Sequence, residues 1–96
     1  MRKIEQQMMQ AIRDRRDWQA GNTGVFFSDH VGNPYLDATV YLHANPIAEV
    51  LPDGTLNAVP DTYRRWPTAT TASRLRALGV DACIRNGVAH IDGEPV

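Results

Sequence analysis

The stretch that decides the fold runs from Ala38 to Val59 and reads ATVYLHANPIAEVLPDGTLNAV. Thr39, Val40, Tyr41 and Leu42 are β-branched, aromatic or large apolar residues of the kind that fit a pleated surface. Asn45-Pro46 interrupts the run before Ile47-Ala48-Glu49-Val50 resumes it, which predicts a hairpin. Pro52-Asp53-Gly54 is a second turn signature, with Pro presetting φ near −65° and Gly tolerating positive φ, and it leads into a strand over Thr55–Val59. Short turns can join only antiparallel neighbours, so the middle of the chain is an antiparallel meander.

Working outward toward the C-terminus, Pro60 and Pro67 bracket an irregular stretch, after which Thr70 or Thr71 can cap a short helix carrying Ala72, Leu75 and Leu78 and ended by Gly79. Asn86-Gly87 between short apolar runs is the strongest two-residue hairpin signal. It opposes Arg85 to Val88, Ile84 to Ala89, Cys83 to His90 and Ala82 to Ile91, with Ala82, Ile84, Ala89 and Ile91 on the buried face. Toward the N-terminus, Ile4, Met8, Ala11, Ile12 and more weakly Trp18 mark one face of a helix from Arg2 to about Trp18, stopped by Gly21. Its other face carries Arg2, Lys3, Glu5, Arg13, Asp14, Arg16 and Asp17. Thr23, Val25, Phe26 and Phe27 read as strand, and residues 28–37, centred on Gly32-Asn33-Pro34, as loop. The expected fold is α+β: a single antiparallel sheet of about five or six strands, the meander plus the C-terminal hairpin, covered by the N-terminal helix and a second short helix.

Ninety-six residues, 43% hydrophobic and 22% charged, make one domain, residues 1–96, with too little interior to divide between two cores. A single cysteine cannot form an intramolecular disulfide, so packing must supply the stability. No apolar run approaches the roughly 18 residues of a membrane span, and the polar start is unlike a signal peptide, so the reading is a protein of the cell interior with no membrane partner.

The net charge of −1 conceals segregation. Residues 1–18 carry five basic and three acidic side chains, residues 19–61 carry five acids and no Lys or Arg, and residues 62–78 carry four Arg and no acid. Either the helix-borne arginines pair with sheet-borne acids across the fold, or the surface is bipolar. A bipolar surface offers two candidate sites: an acidic patch of Asp37, Glu49, Asp53 and Asp61 for a basic protein partner, or an Arg-rich face of Arg13, Arg16, Arg64, Arg65, Arg74 and Arg76, with Arg15 beside them and Trp66 for base stacking, for nucleic acid.

Catalytic patterns do not emerge. His30, His43 and His90 lack metal-ligand spacing, and the five acids of 19–61 lack the alternation of a calcium loop. Cys83 faces His90 in the predicted hairpin but has no glycine-rich nucleophile turn with it, so it reads as structural. No phosphate-cradling or dinucleotide motif is present, and neither a metal nor another cofactor is expected.

The segments Lys3-Ile4-Glu5-Gln6-Gln7-Met8, Asn22-Thr23, Val40-Tyr41-Leu42-His43 with Asn45 and Ile47-Ala48, Thr70-Thr71, Ser73-Arg74-Leu75, Ala77-Leu78-Gly79-Val80 and Asp92-Gly93-Glu94-Pro95 resemble a family of small accessory proteins encoded by tailed bacteriophages. The likeness spans nearly the whole chain. That family commonly has Gly at Ala44, Lys at Ala72 and Asn at Arg76, so a turn and part of a helix surface depart from it. It implies no catalytic or binding residue. It implies expression in the cytoplasm of a bacterial host during infection, among proteins that work by binding and blocking host machinery. The reading is a non-enzymatic binder of a host protein complex, a defence system such as a CRISPR effector included, with nucleic-acid binding as the second choice.

Overall fold

A computed structural model describes residues 1–96 and shows an α+β fold. Its elements are α1 (Lys3–Arg13), β1 (Trp18–Ala20), β2 (Thr23–Phe26), a 3-10 turn (Ser28–His30), β3 (Ala38–Leu42), β4 (Asn45–Val50), β5 (Leu56–Ala58), α2 (Pro60–Arg65), α3 (Ala69–Ala77), β6 (Ala82–Arg85), β7 (Val88–Ile91) and β8 (Glu94–Pro95). β1 to β5 form one antiparallel sheet in chain order, the meander extended by a hairpin upstream.

The turn between β3 and β4 lies at His43-Ala44, both in the left-handed region at φ 51° and 64°, rather than at Asn45-Pro46. Proline can start β4 because a bulge between Val40 and Tyr41 shifts the register, so Pro46 stands opposite Tyr41 and Ile47 is the extra residue. The bulge also breaks strict alternation, which lets Ile47 and Ala48 both be buried.

The C-terminal hairpin has the expected register, with Arg85 opposite Val88 and Ala82 opposite Ile91, around Asn86-Gly87 at φ 52° and 76°. It does not join the meander. A further turn at Asp92-Gly93 adds β8, giving a separate three-stranded sheet. Side chains from the helices, not a neighbouring strand, reach the β6 carbonyls: Arg76 Nη1 donates to Ala82 O at 2.9 Å and Tyr63 Oη to Cys83 O at 2.8 Å. The buried Tyr63 comes from the stretch between the two prolines, of which Pro60–Arg65 folds as helix α2, Pro60 at its first turn needing no N–H partner.

The helix expected to reach Trp18 ends at Arg13, and Trp18 starts β1, with Gly21 serving the β1–β2 turn. α3 is capped by Thr68, whose Oγ1 accepts from the Thr71 amide at 3.2 Å, two or three residues earlier than expected. α1 and α3 lie on one face of the large sheet. Met8, Ala11, Ala72, Leu75 and Leu78 meet Val25, Val40, Leu42, Ile47 and Val50 in a single core.

That core contains one ion pair. Glu5, expected on the polar face of α1, and Arg74 are each 4% exposed, and Arg74 Nη1 stands 2.7 Å from Glu5 Oε2. Ser73 Oγ donates to the same oxygen at 2.6 Å, and Arg74 Nε donates to Thr23 Oγ1 at 3.1 Å. Burial alone would raise the Glu5 carboxyl; hydrogen bonds from Ser73, Arg74 and the Arg2 amide, with the attraction of Arg74, outweigh it and hold the group below its ordinary value.

Candidate functional site on the open face of the sheet

Period-two alternation fixes what the other face of the large sheet presents. Val25, Val40 and Ala48 are in register and buried beneath the helices, so their neighbours Gly24, Phe26, Thr39, Tyr41 and Glu49 point the opposite way, with Gln19 opposite Gly24 and Asn57 opposite Glu49. No helix covers this face. The 3-10 turn lies across part of it, where His30 Nε2 is 2.6 Å from Thr39 Oγ1 and Tyr41 Oη donates to Asp29 Oδ2 at 3.5 Å. The turn itself is held by Asp17, whose carboxylate accepts from the Phe27 and Ser28 amides at 2.6 and 3.1 Å. Phe26 and Tyr41 meet edge to face at 5.8 Å, beside a cleft of about 370 Å³.

The acidic residues singled out from the sequence divide into two groups. Asp37 is spent within the molecule: its side chain is 15% exposed, and Oδ2 forms an ion pair with Arg15 Nη1 at 2.6 Å, a contact that raises the Arg15 value. Asp61 pairs with Arg64 at 2.9 Å, one turn along α2. Glu49 stands half-buried on the open face and Asp53 fully exposed at the β4–β5 turn, and no Lys or Arg pairs with either. The Thr55 hydroxyl and amide hold Asp53 below its ordinary value. Asp29, also exposed and without a cationic partner, belongs with them.

The arginines do not present themselves as one free set. Arg74 is buried with Glu5, which removes it from any surface, since extracting it would strand a carboxylate in the core. Arg76 is tied to Ala82 O, Arg13 donates to Gln10 at 2.9 Å, and Arg16 lies 3.5 Å from Asp14. Arg15, beyond its contact with Asp37, lies over the Phe27 ring at 5.3 Å. Arg65 stacks on Trp66 at 5.4 Å, and Trp66, 42% exposed, borders a second groove of about 360 Å³ with His43, Asn45, Thr62, Thr68 and Thr70.

A family model described as the Kyanoviridae Gp96 protein matches residues 1–96. The chain belongs to that phage family. No curated protein and no solved structure matches it. Because the match covers every residue, both faces of the large sheet and the separate hairpin lie within the family's extent. No helix of this phage protein is long and apolar enough to cross a membrane. No three of its His, Cys, Asp and Glu side chains gather as metal ligands would, and His90, across the ladder from Cys83, turns Nδ1 to the Val88 carbonyl at 2.9 Å.

Sequence reading overlooked Asp29, Phe26 and Tyr41 as functional candidates. Their signal was legible in part: alternation along β2 and β3 separates Phe26 and Tyr41 from Val25 and Val40. That the face they occupy stays uncovered depends on where the helices pack.

Proposed function

We propose that this phage protein acts without catalysis in the host cytoplasm, by binding a basic surface of a host protein complex that handles nucleic acid, defence effectors included. The observation that carries the reading is the asymmetry of charge neutralisation. Most arginines are paired inside the molecule or tied to backbone and side-chain acceptors, whereas Asp29, Glu49 and Asp53 have no cationic partner. Unneutralised acids, one of them in contact with the half-buried Tyr41, favour a partner rich in Arg and Lys, and such fields speed and orient association. Complexes that hold nucleic acid expose channels of that chemistry.

The test is affinity capture from a bacterial host lysate with mass spectrometry. Glu49→Lys with Asp53→Lys should abolish capture of the partner, and Arg64→Glu with Arg65→Glu should leave it intact. A second reading, nucleic-acid binding, is favoured by one feature: the exposed Trp66 with Arg65 stacked on it, a pairing that suits an unpaired base and its phosphate. Titration with single-stranded DNA and RNA between about 50 and 200 mM salt separates the two. Salt-sensitive binding that is lost in the Arg64→Glu, Arg65→Glu variant, together with host-complex capture indifferent to Glu49 and Asp53, would overturn the first reading in favour of the second.

A further inference from the structure

Gly24 is the single glycine among seven whose backbone does not adopt a positive φ, so its missing side chain, not its flexibility, is what the fold uses. A Cβ there would fall 2.7 Å from Phe26 Cε2. Gly24 therefore lets the Phe26 ring fold down along its own strand, and the bare backbone becomes the floor of the 370 Å³ cleft. Phe26 and Tyr41 form its aromatic wall. Asp29, Gln19 and Asn22 supply oxygen acceptors at its rim, and no Lys or Arg lines it.

From this geometry we infer that the cleft seats one arginine side chain projecting from a basic segment of the partner protein. The inference rests on the acidic-face reading above and narrows it to a site. A guanidinium is planar, presents a fork of donors that a carboxylate accepts in pairs, and stacks on aromatic faces. Two rings and one exposed carboxylate match those three properties. An aromatic surface on an open sheet also suits a nucleobase. Here the phosphates of such a ligand would meet Asp29 and Glu49 with no cation between residues 19 and 61 to receive them, so a cationic protein side chain is the favoured occupant. Lysine fits less well: its ammonium is compact and strongly hydrated and cannot span ring and carboxylate as a plane does.

The experiment is a titration of the full chain, 15N-labelled, with hexa-arginine, hexa-lysine and hexa-citrulline peptides, following backbone amide shifts. Hexa-arginine should move the amides of Gly24, Phe26 and Tyr41 first and most, hexa-lysine should bind more weakly, and hexa-citrulline should have no effect. Asp29→Asn, an exposed change that leaves the core untouched, should weaken hexa-arginine about tenfold. Gly24→Ala, which must displace the Phe26 ring, should do the same; if that variant is destabilised, Tyr41→Phe and Asp29→Asn carry the test, the former with little effect and the latter with the full loss. Shifts spread evenly over Glu49 and Asp53, with Asp29→Asn within about twofold of wild type, would overturn the cleft while leaving the acidic face as a docking surface. Absence of any response to hexa-arginine would overturn the cleft whatever the host-capture experiment returns.

Discussion

Replacing Arg74 with alanine removes the partner of a carboxylate that has nowhere else to go. Glu5 and Arg74 are each 4% exposed, joined at 2.7 Å, and the pair ties α1 to α3 across 69 residues of chain. In Arg74→Ala the Glu5 carboxylate keeps Ser73 Oγ at 2.6 Å and the Arg2 amide at 3.4 Å but loses its countercharge. Thr23 loses only an accepted bond, because its hydroxyl already donates to Asn22 Oδ1 at 2.9 Å. The dominant loss is thus the uncompensated buried charge, which costs about 3 to 5 kcal/mol. For a chain of 96 residues, with total stability of about 5 to 15 kcal/mol, that is at least about a fifth of the whole. Glu5→Gln keeps a neutral acceptor in place but leaves the buried Arg74 guanidinium without its countercharge, so it should cost a comparable amount, about 3 to 5 kcal/mol. The double variant Glu5→Leu, Arg74→Met removes both charges and should recover most of the Arg74→Ala loss. Urea denaturation followed by far-UV circular dichroism measures all three, with m unchanged if only stability is affected. Arg74→Ala within about 1 kcal/mol of wild type, or a double variant worse than either single one, would refute the buried pair as a structural tie.

Acid sensitivity follows from the same pair: folding depresses the Glu5 value, so its contribution is complete above the unfolded value of 4.5 and is lost as pH falls through the lower folded one, and Glu5→Gln should flatten that part of a pH–stability curve. Leu75→Ala, at a fully buried position, should cost about 2 to 5 kcal/mol, while Ile12→Ala at a half-buried one should cost clearly less, the two compared in the same denaturant melts. Ala44→Gly should raise stability by up to about 1 kcal/mol, since Ala44 holds φ 64° in the β3–β4 turn, and an unchanged or lower urea midpoint would show that the turn bears no strain. Tyr63→Phe should cost about 1 to 2 kcal/mol through loss of the 2.8 Å bond to Cys83 O, with faster hydrogen exchange in β6 as its local signature.

The sequence by itself determined the elements whose shape is encoded locally. Asn86-Gly87 fixes its hairpin because two adjacent residues must adopt positive φ, and the register then follows by counting. Pro52-Asp53-Gly54 joins β4 to β5 with a single positive φ, at Gly54, and the two-residue logic was available at Asp92-Gly93 for β8. The expected phage kinship agrees with the family match over residues 1–96. Tertiary structure alone decided which charges are spent and which are free. Charge order along the chain showed arginines and acids in separate segments but could not say that Arg74 crosses 69 residues to Glu5, or that Arg15 reaches Asp37. Those pairings depend on how α1 and α3 lie over the sheet, which is set by nonlocal packing of Met8, Leu75 and Val40 and their neighbours. The same packing leaves the face bearing Gly24, Phe26 and Tyr41 open, because both helices commit their apolar stripes to the opposite side. A helix can cover only one face of a sheet, and no local signal states which faces go without one.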